Sequence, residues 1–223
     1  MRRPLIINFK NYLEISSGKA ISLALDAQKV ANALKVEIII APPQPSVAIV
    51  THNVNIPVFC QHVDDAIIGQ STGYFIPELA RSYGATGSLI NHSEHRLDHN
   101  SISNLVQRLK HLKMTSVVCA QTSDEVAEMA KLGPDFIAIE PPELIGSGKA
   151  VSKESPEIIR DSVKSTHKYS KFSKVICGAG ITDESDVRTA LKLGVDGILV
   201  ASGIVKSNLW YKKIFELGSA FVD

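Results

Sequence analysis

"TSVVCAQTSDEVAEMAKLGPDFIAIE", Thr115 to Glu140, contains one complete structural cycle. Its two ends, "TSVVCA" (115–120) and "DFIAIE" (135–140), are short apolar runs rich in β-branched residues. Neither alternates apolar with polar, so both faces of each strand must be covered, as in a parallel sheet flanked by helices. Between them, "SDEVAEMAKLG" (123–133) is amphipathic at helical spacing. It opens on Ser and Asp ahead of an acidic turn and stops at Gly133, as a capped helix does.

The cycle recurs along the whole chain. Strand-like runs stand at "LIINF" (5–9), "VEIIIA" (36–41), "PVFCQ" (57–61), "TGSLIN" (86–91), "KVICGA" (174–179) and "GILVAS" (197–202), besides the two already quoted. Amphipathic stretches lie at 17–34 and 183–194, and 155–169 adds a proline at the first helical position. Shorter helices are expected in "PSVAIVTHN" and "IPELARSYG". Eight units in 223 residues, without a linker or low-complexity segment, predict one α/β domain over 1–223, a single closed (β/α)8 barrel of compact size. An open doubly wound sheet would place a glycine-rich turn after strand 1, where this chain reads "NFKNY".

A net charge of +1 argues against a nucleic-acid or membrane surface, where Lys and Arg would cluster. The amino-terminal "MRRPLIINFKNY" lacks the apolar core of a signal peptide and reads as a first strand, so a cytoplasmic protein is expected. Cys60, Cys119 and Cys177 are odd in number, widely spaced and each inside a strand run. Buried free thiols in a reducing compartment fit that pattern.

In a closed barrel, chemistry gathers where strands end at the carboxyl face. Strand 1 ends with Asn8 and Lys10, two residues apart and so expected on one side of the strand. Alone, Lys10 reads more readily as a lysine solvated at a strand terminus. Strand 4 runs into "NHSEHR" (91–96), and a histidine opening a helix there would be favoured in its neutral form. His92, His95 and His99 suggest a metal site only weakly, with no nearby cysteine and no HExxH pattern. Strand 6 ends on Glu140, a carboxylate after "FIAI" and therefore a poorly hydrated proton acceptor. Pro141 and Pro142 stiffen the exit, whereas Gly146 and Gly148 loosen the tip, the build of a closing lid. Glu143 is the rival carboxylate, expected to be solvated. After strands 7 and 8, "CGAGITD" and "VASGIV" place small residues at strand–helix junctions, where backbone N–H groups grip phosphate. "GAGITD" departs from the dinucleotide fingerprint at Asp183.

Taken in order, "NFK", "HSEHR", "EPPELIGSG", "CGAGI" and "VASGI" resemble the triosephosphate isomerase family, and the short loops with Pro-Pro-Glu-Leu look like its compact archaeal branch. The resemblance runs from Asn8 to Gly203 and implies a TIM barrel. It implies an isomerase of glycolysis and gluconeogenesis that interconverts dihydroxyacetone phosphate and D-glyceraldehyde 3-phosphate through an enediolate, with no metal or organic cofactor. It implies Glu140 as general base, His92 as neutral electrophile, Lys10 as the positive charge at the developing oxyanion, and Asn8 as a hydrogen-bonding neighbour. Ile145, Gly180, Ala201 and Ser202 match positions whose backbones hold the phosphate, with Gly146, Ser147 and Gly203 beside them. Ser93 and Glu94 match positions that orient the base and the lysine. One departure is His95, where the family pattern H-S-E-R-R has arginine; a changed ion pair pointing away from substrate is expected. The resemblance also implies a homo-oligomer, dimer or tetramer, in which Ile67, Ile68, Tyr74 and Phe75 reach a neighbour or else cover their own barrel. Two other readings are a different phosphosugar isomerase of barrel type and a non-catalytic phosphometabolite-binding barrel. Neither requires the base, histidine and lysine together.

Overall fold

Every continuous apolar run forms a strand with two buried faces. In the computed structural model, which describes residues 3–16, 18–146 and 148–222, these are β1 (Pro4–Asn8), β2 (Glu37–Ala41), β3 (Phe59–Cys60), β4 (Gly87–Ile90), β5 (Thr115–Ala120), β6 (Phe136–Ile139), β7 (Lys174–Cys177) and β8 (Gly197–Val200). Pairing is parallel in the order β2-β1-β8-β7-β6-β5-β4-β3. The two ends of that order meet at one parallel bridge, Ile40 with Val58, where Ile40 N–H donates to Pro57 O at 3.1 Å. The sheet is therefore the expected (β/α)8 barrel, its seam held by a short strand. β3 is shorter than the 57–61 run because Pro57 has no N–H for the ladder. Beyond it the Gln61 side chain takes over, donating to the carbonyls of Ala41 and Lys10, each at 3.0 Å.

The helices are α1 (Lys19–Leu34), α2 (Val47–Asn53), α3 (Pro77–Ser82), α4 (His99–His111), α5 (Ser123–Lys131), α6 (Val151–Glu154), α7 (Pro156–Tyr169), α8 (Glu184–Lys192), α9 (Ser202–Val205) and α10 (Trp210–Ser219). Ser17, at the head of the expected first helix, lies outside the described residues. α4 begins in the polar "LDHNS" stretch, where Asp98 Oδ1 accepts from the N–H groups of Asn100 and Ser101 at 3.0 and 3.1 Å. That cap starts a helix whose first turn carries no apolar periodicity. Among the described residues, no helix is long and apolar enough to cross a membrane.

Strand alternation sorts the apolar residues into two cores. Ile6, Ile39, Phe59, Leu89, Val117, Phe136, Ala138, Ile176 and Leu199 fill the barrel interior. Leu5, Ile7, Ile38, Ile40, Ile137, Ile139 and Ile198 join the layer shared with the helices. Counting on by two from the inner set leads to the rim residues: Ile6 to Asn8, Phe136 and Ala138 to Glu140, Ile176 to Gly178, Leu199 to Ala201. The three cysteines are buried free thiols. Burial alone pushes Cys60 up to about 12, so it packs as an apolar residue.

Candidate active site

A cavity of about 290 Å³ opens at the carboxyl ends of the strands. Asn8, Lys10, His92 and Glu140 line it, together with Ile145, Gly146, Gly180, Ala201, Ser202 and Gly203. Ser147 lies outside the described residues.

Lys10 arrives by a route that strand geometry does not provide. β1 stops at Asn8, and Lys10 adopts a left-handed backbone (φ 48°) with its N–H donating to Asn8 Oδ1 at 3.0 Å. The expected shared strand face is thus replaced by a turn clamped by the asparagine side chain. Lys10 Nζ lies 2.7 Å from Glu94 Oε1, with the lysine side chain 12% exposed and the glutamate 59%. A half-exposed partner contributes little stability but fixes where the ammonium points.

His92 is likewise not where alternation or a helix would put it. Counting by two from Leu89 gives Asn91, but the left-handed backbone at Asn91 (φ 63°) interrupts the alternation, and it is His92 that lines the cavity. Asn91 tolerates that conformation because its side chain is anchored at both ends. Its Nδ2 donates to Cys119 O at 3.0 Å, and its Oδ1 accepts from Leu97 N–H at 3.0 Å. Residues 93–95 form a turn, closed by His95 N–H donating to His92 O at 2.8 Å, and α4 starts only at His99. The helix-terminus expectation for His92 is therefore corrected. A single amide acts instead: Glu94 N–H donates to His92 Nδ1 at 3.1 Å, which makes Nδ1 the acceptor and leaves the ring proton on Nε2.

That Nε2 is 3.6 Å from Glu140 Oε2. The separation exceeds a hydrogen bond, so each group is free to meet a third partner. Glu140 is buried, and its Oε2 has no hydrogen-bond partner among the described residues. An unpartnered buried carboxylate oxygen is costly in a folded chain and marks a place where something else is meant to bind. Burial, and next the Glu140 charge, push the thiols of Cys119 and Cys177 upward, so both stay protonated beside Glu140 and are not nucleophiles.

From the loops after β7 and β8 the backbone provides the donors. Gly180 is left-handed (φ 69°), and a Cβ there would lie 1.8 Å from Lys149 O, so only glycine allows the segment after β6 to rest on the loop after β7. α9 begins at Ser202 on the cavity wall, and its first amides have no intrahelical acceptor. A phosphate-sized anion suits that lining. Tyr12, Thr182 and Lys206 also line the cavity, and Lys206 Nζ stands 4.7 Å from the Tyr12 ring centroid. None of the three was singled out from sequence. Lys206 follows Ser202 by four residues, one helical turn, which was the available signal.

Glu143 is exposed on its loop, as a solvated carboxylate there was expected to be, and Ser93, expected only to orient its neighbours, lines neither this cavity nor the adjoining one. His95 forms a ring stack rather than a changed ion pair: it lies on His62 with centroids 3.7 Å apart and planes 12° from parallel. Both line a second cavity of about 590 Å³ that shares Asn8, Lys10, Tyr12 and His92 with the first. His95 therefore stands beside the site, and the neighbouring Arg96 pairs with Glu125. Among the described residues, no group of three or more His, Cys, Asp or Glu is arranged to hold a metal ion.

The family model described as triosephosphate isomerase matches residues 4–217. A triosephosphate isomerase of Cenarchaeum symbiosum (strain A) is 48% identical over 97% of this chain and 96% of its own. One from Caldivirga maquilingensis is 45% identical over 98% and 97%, and one from Methanothermus fervidus 42% over 97% and 98%.

Proposed function

The chain belongs to the triosephosphate isomerase family, and on that premise we propose which of its residues perform the interconversion of dihydroxyacetone phosphate and D-glyceraldehyde 3-phosphate. Glu140 removes a proton from C1 of dihydroxyacetone phosphate through Oε2. The resulting enediolate carries negative charge on its oxygens, which face His92 Nε2–H and the Lys10 ammonium, with Asn8 alongside. Return of the proton at C2, with net transfer of one hydroxyl proton from O1 to O2, gives D-glyceraldehyde 3-phosphate. Base, electrophile and cation all come from the chain, so the reaction calls on neither a metal nor an organic cofactor.

The phosphate sits on the backbone donors of Ile145, Gly146, Gly180, Ala201 and Ser202, with Lys206 adding a cation. The segment after β6 closes over it, excluding water and keeping the enediolate from expelling phosphate. Glu94 orients both Lys10 and His92.

The observation that carries this assignment is Glu140 Oε2, buried, without a partner, and 3.6 Å from an Nε2 whose proton is set by the Glu94 amide. A coupled assay of triose phosphate interconversion tests it, and no turnover by the purified protein would overturn it.

The chain acts as one domain over 1–223, in the cytoplasm, as a homo-oligomer. Ile67, Ile68 and Tyr74 support the last point: they are 69%, 70% and 56% exposed on one loop, whereas Phe75 is partly buried against Tyr83. Sedimentation analysis that returned a monomer would remove it.

A further inference from the structure

We propose that Asp186 is a positioning residue whose carboxylate latches the segment after β6 to the phosphate side of the cavity, with Lys153 as its second half. The inference rests on the reading above that this cavity takes a triose phosphate.

Asp186 lies in the first turn of α8 and is 3% exposed, and three chain segments converge on it. Its Oδ2 accepts from Thr182 N–H at 2.8 Å, from Thr182 Oγ1 at 2.9 Å and from Asp183 N–H at 3.2 Å. Its Oδ1 lies 2.6 Å from Lys153 Nζ on α6. Ser152 Oγ, also on α6, donates to Asp186 O at 3.2 Å. A helix cap requires only the reciprocal pair with Asp183, which is present, Asp186 N–H donating to Asp183 Oδ1 at 2.8 Å. The remaining contacts reach outside the helix, to the cavity-lining Thr182 and to α6, where the segment after β6 ends.

The same junction is tight in the backbone, since Lys149 O occupies the space where a Cβ of Gly180 would be. Thr182 and Gly180 line the cavity, and Lys149 stands two residues before α6. Asp186 thus fixes the far hinge of the closing segment relative to the loop that faces the phosphate. Burial pushes the Asp186 carboxyl up, but hydrogen bonds from Lys153, Thr182 and Asp183 outweigh it and hold the group below its usual value. A neutral asparagine cannot substitute, because whichever side its NH₂ faces already presents donors.

Loosening this tie has a chemical signature. In an enediolate that is not enclosed, the C–O bond to phosphate breaks. Inorganic phosphate departs with the electron pair, and the enol left behind tautomerises to methylglyoxal. The ratio of phosphate released to isomerisation turnovers therefore reports hinge position separately from stability.

The experiment compares wild type with Lys153→Met, Lys153→Arg and Asp186→Asn. For Lys153→Met, kcat/KM should fall roughly 10-fold, in line with the sensitivity of turnover to small misplacements. Its phosphate-release ratio should rise several-fold, and amides of residues 142–155 should exchange faster. Lys153→Arg should restore all three, and Asp186→Asn should exceed Lys153→Met. Because Lys153 is a partly exposed side chain, its variant keeps the question open to test even if Asp186→Asn fails to fold. Wild-type phosphate release and wild-type exchange in Lys153→Met would overturn the latch. Wild type that fails to isomerise would instead remove the reading of the cavity, while the exchange comparison still decides the tie between the segments.

Discussion

A Cβ on Gly178 would lie 2.5 Å from Cγ of Glu140 and 2.6 Å from its Oε1. β6 and β7 pair with Ile139 opposite Cys177, and Gly178 N–H donates to Ile139 O at 3.0 Å, so the next residue on each strand must share the same space. Gly178→Ala should displace the Glu140 carboxylate and lower kcat about 10²-fold, the scale of a 1 Å misplacement. Inhibition by inorganic phosphate should be retained. Wild-type kcat in a folded Gly178→Ala protein would show that Glu140 tolerates the shift.

Glu140→Gln keeps shape and burial but removes the proton acceptor. A loss of roughly 10²–10⁴ in kcat is expected, with KM nearly unchanged, as for a general base. Steady-state kinetics in both directions measures it. Retention of most of the turnover would exclude Glu140 as the base.

Lys10→Met removes the ammonium that Glu94 holds at the mouth. On the proposed reading that charge meets substrate in both the ground state and the transition state, so KM should rise and kcat fall together. The decrease in kcat/KM should be on the order of 10²-fold or more. An effect confined to KM would restrict Lys10 to substrate binding.

Burial, then the neighbouring His95, holds His62 below its ordinary value of 6.5, with Asp64 opposing. The unfolded chain therefore binds the proton more tightly than the folded one. Stability is full above the unfolded value, declines as pH falls below 6.5, and levels off only beneath the lower folded value. His95→Asn removes the opposing ring and should shrink that acid loss. Melting temperatures between pH 5 and 8 provide the check, and an unchanged acid limb would mean the stack has no electrostatic cost.

Much of the architecture was legible in local pattern. Two-sided apolar runs marked the strands, and a capping residue with a terminal glycine marked α8, whereas α5 is capped by Thr122, one residue ahead of the expected Ser123. Glu140 was legible for the same reason, because alternation from Phe136 and Ala138 carries it inward. α4 was not, since its start depends on the Asp98 cap rather than on apolar spacing. Thr182 looks like an ordinary loop residue until the loops after β7 and β8 converge, and the one-turn spacing of Lys206 from Ser202 gains meaning only once Ser202 stands at the cavity.

By itself the sequence determined the succession of strands and helices, the two-layered core, and the residue types waiting at the rim, because propensity, alternation and capping act over a few neighbouring residues. Tertiary structure alone decided how those residues meet. Left-handed turns at Lys10 and Asn91 redirect two side chains. Lys10 finds Glu94 across a separation of 84 residues, and His95 finds His62 instead of an ionic partner. Such meetings depend on register and barrel closure, which sum contributions from every strand and are written in no single stretch of chain.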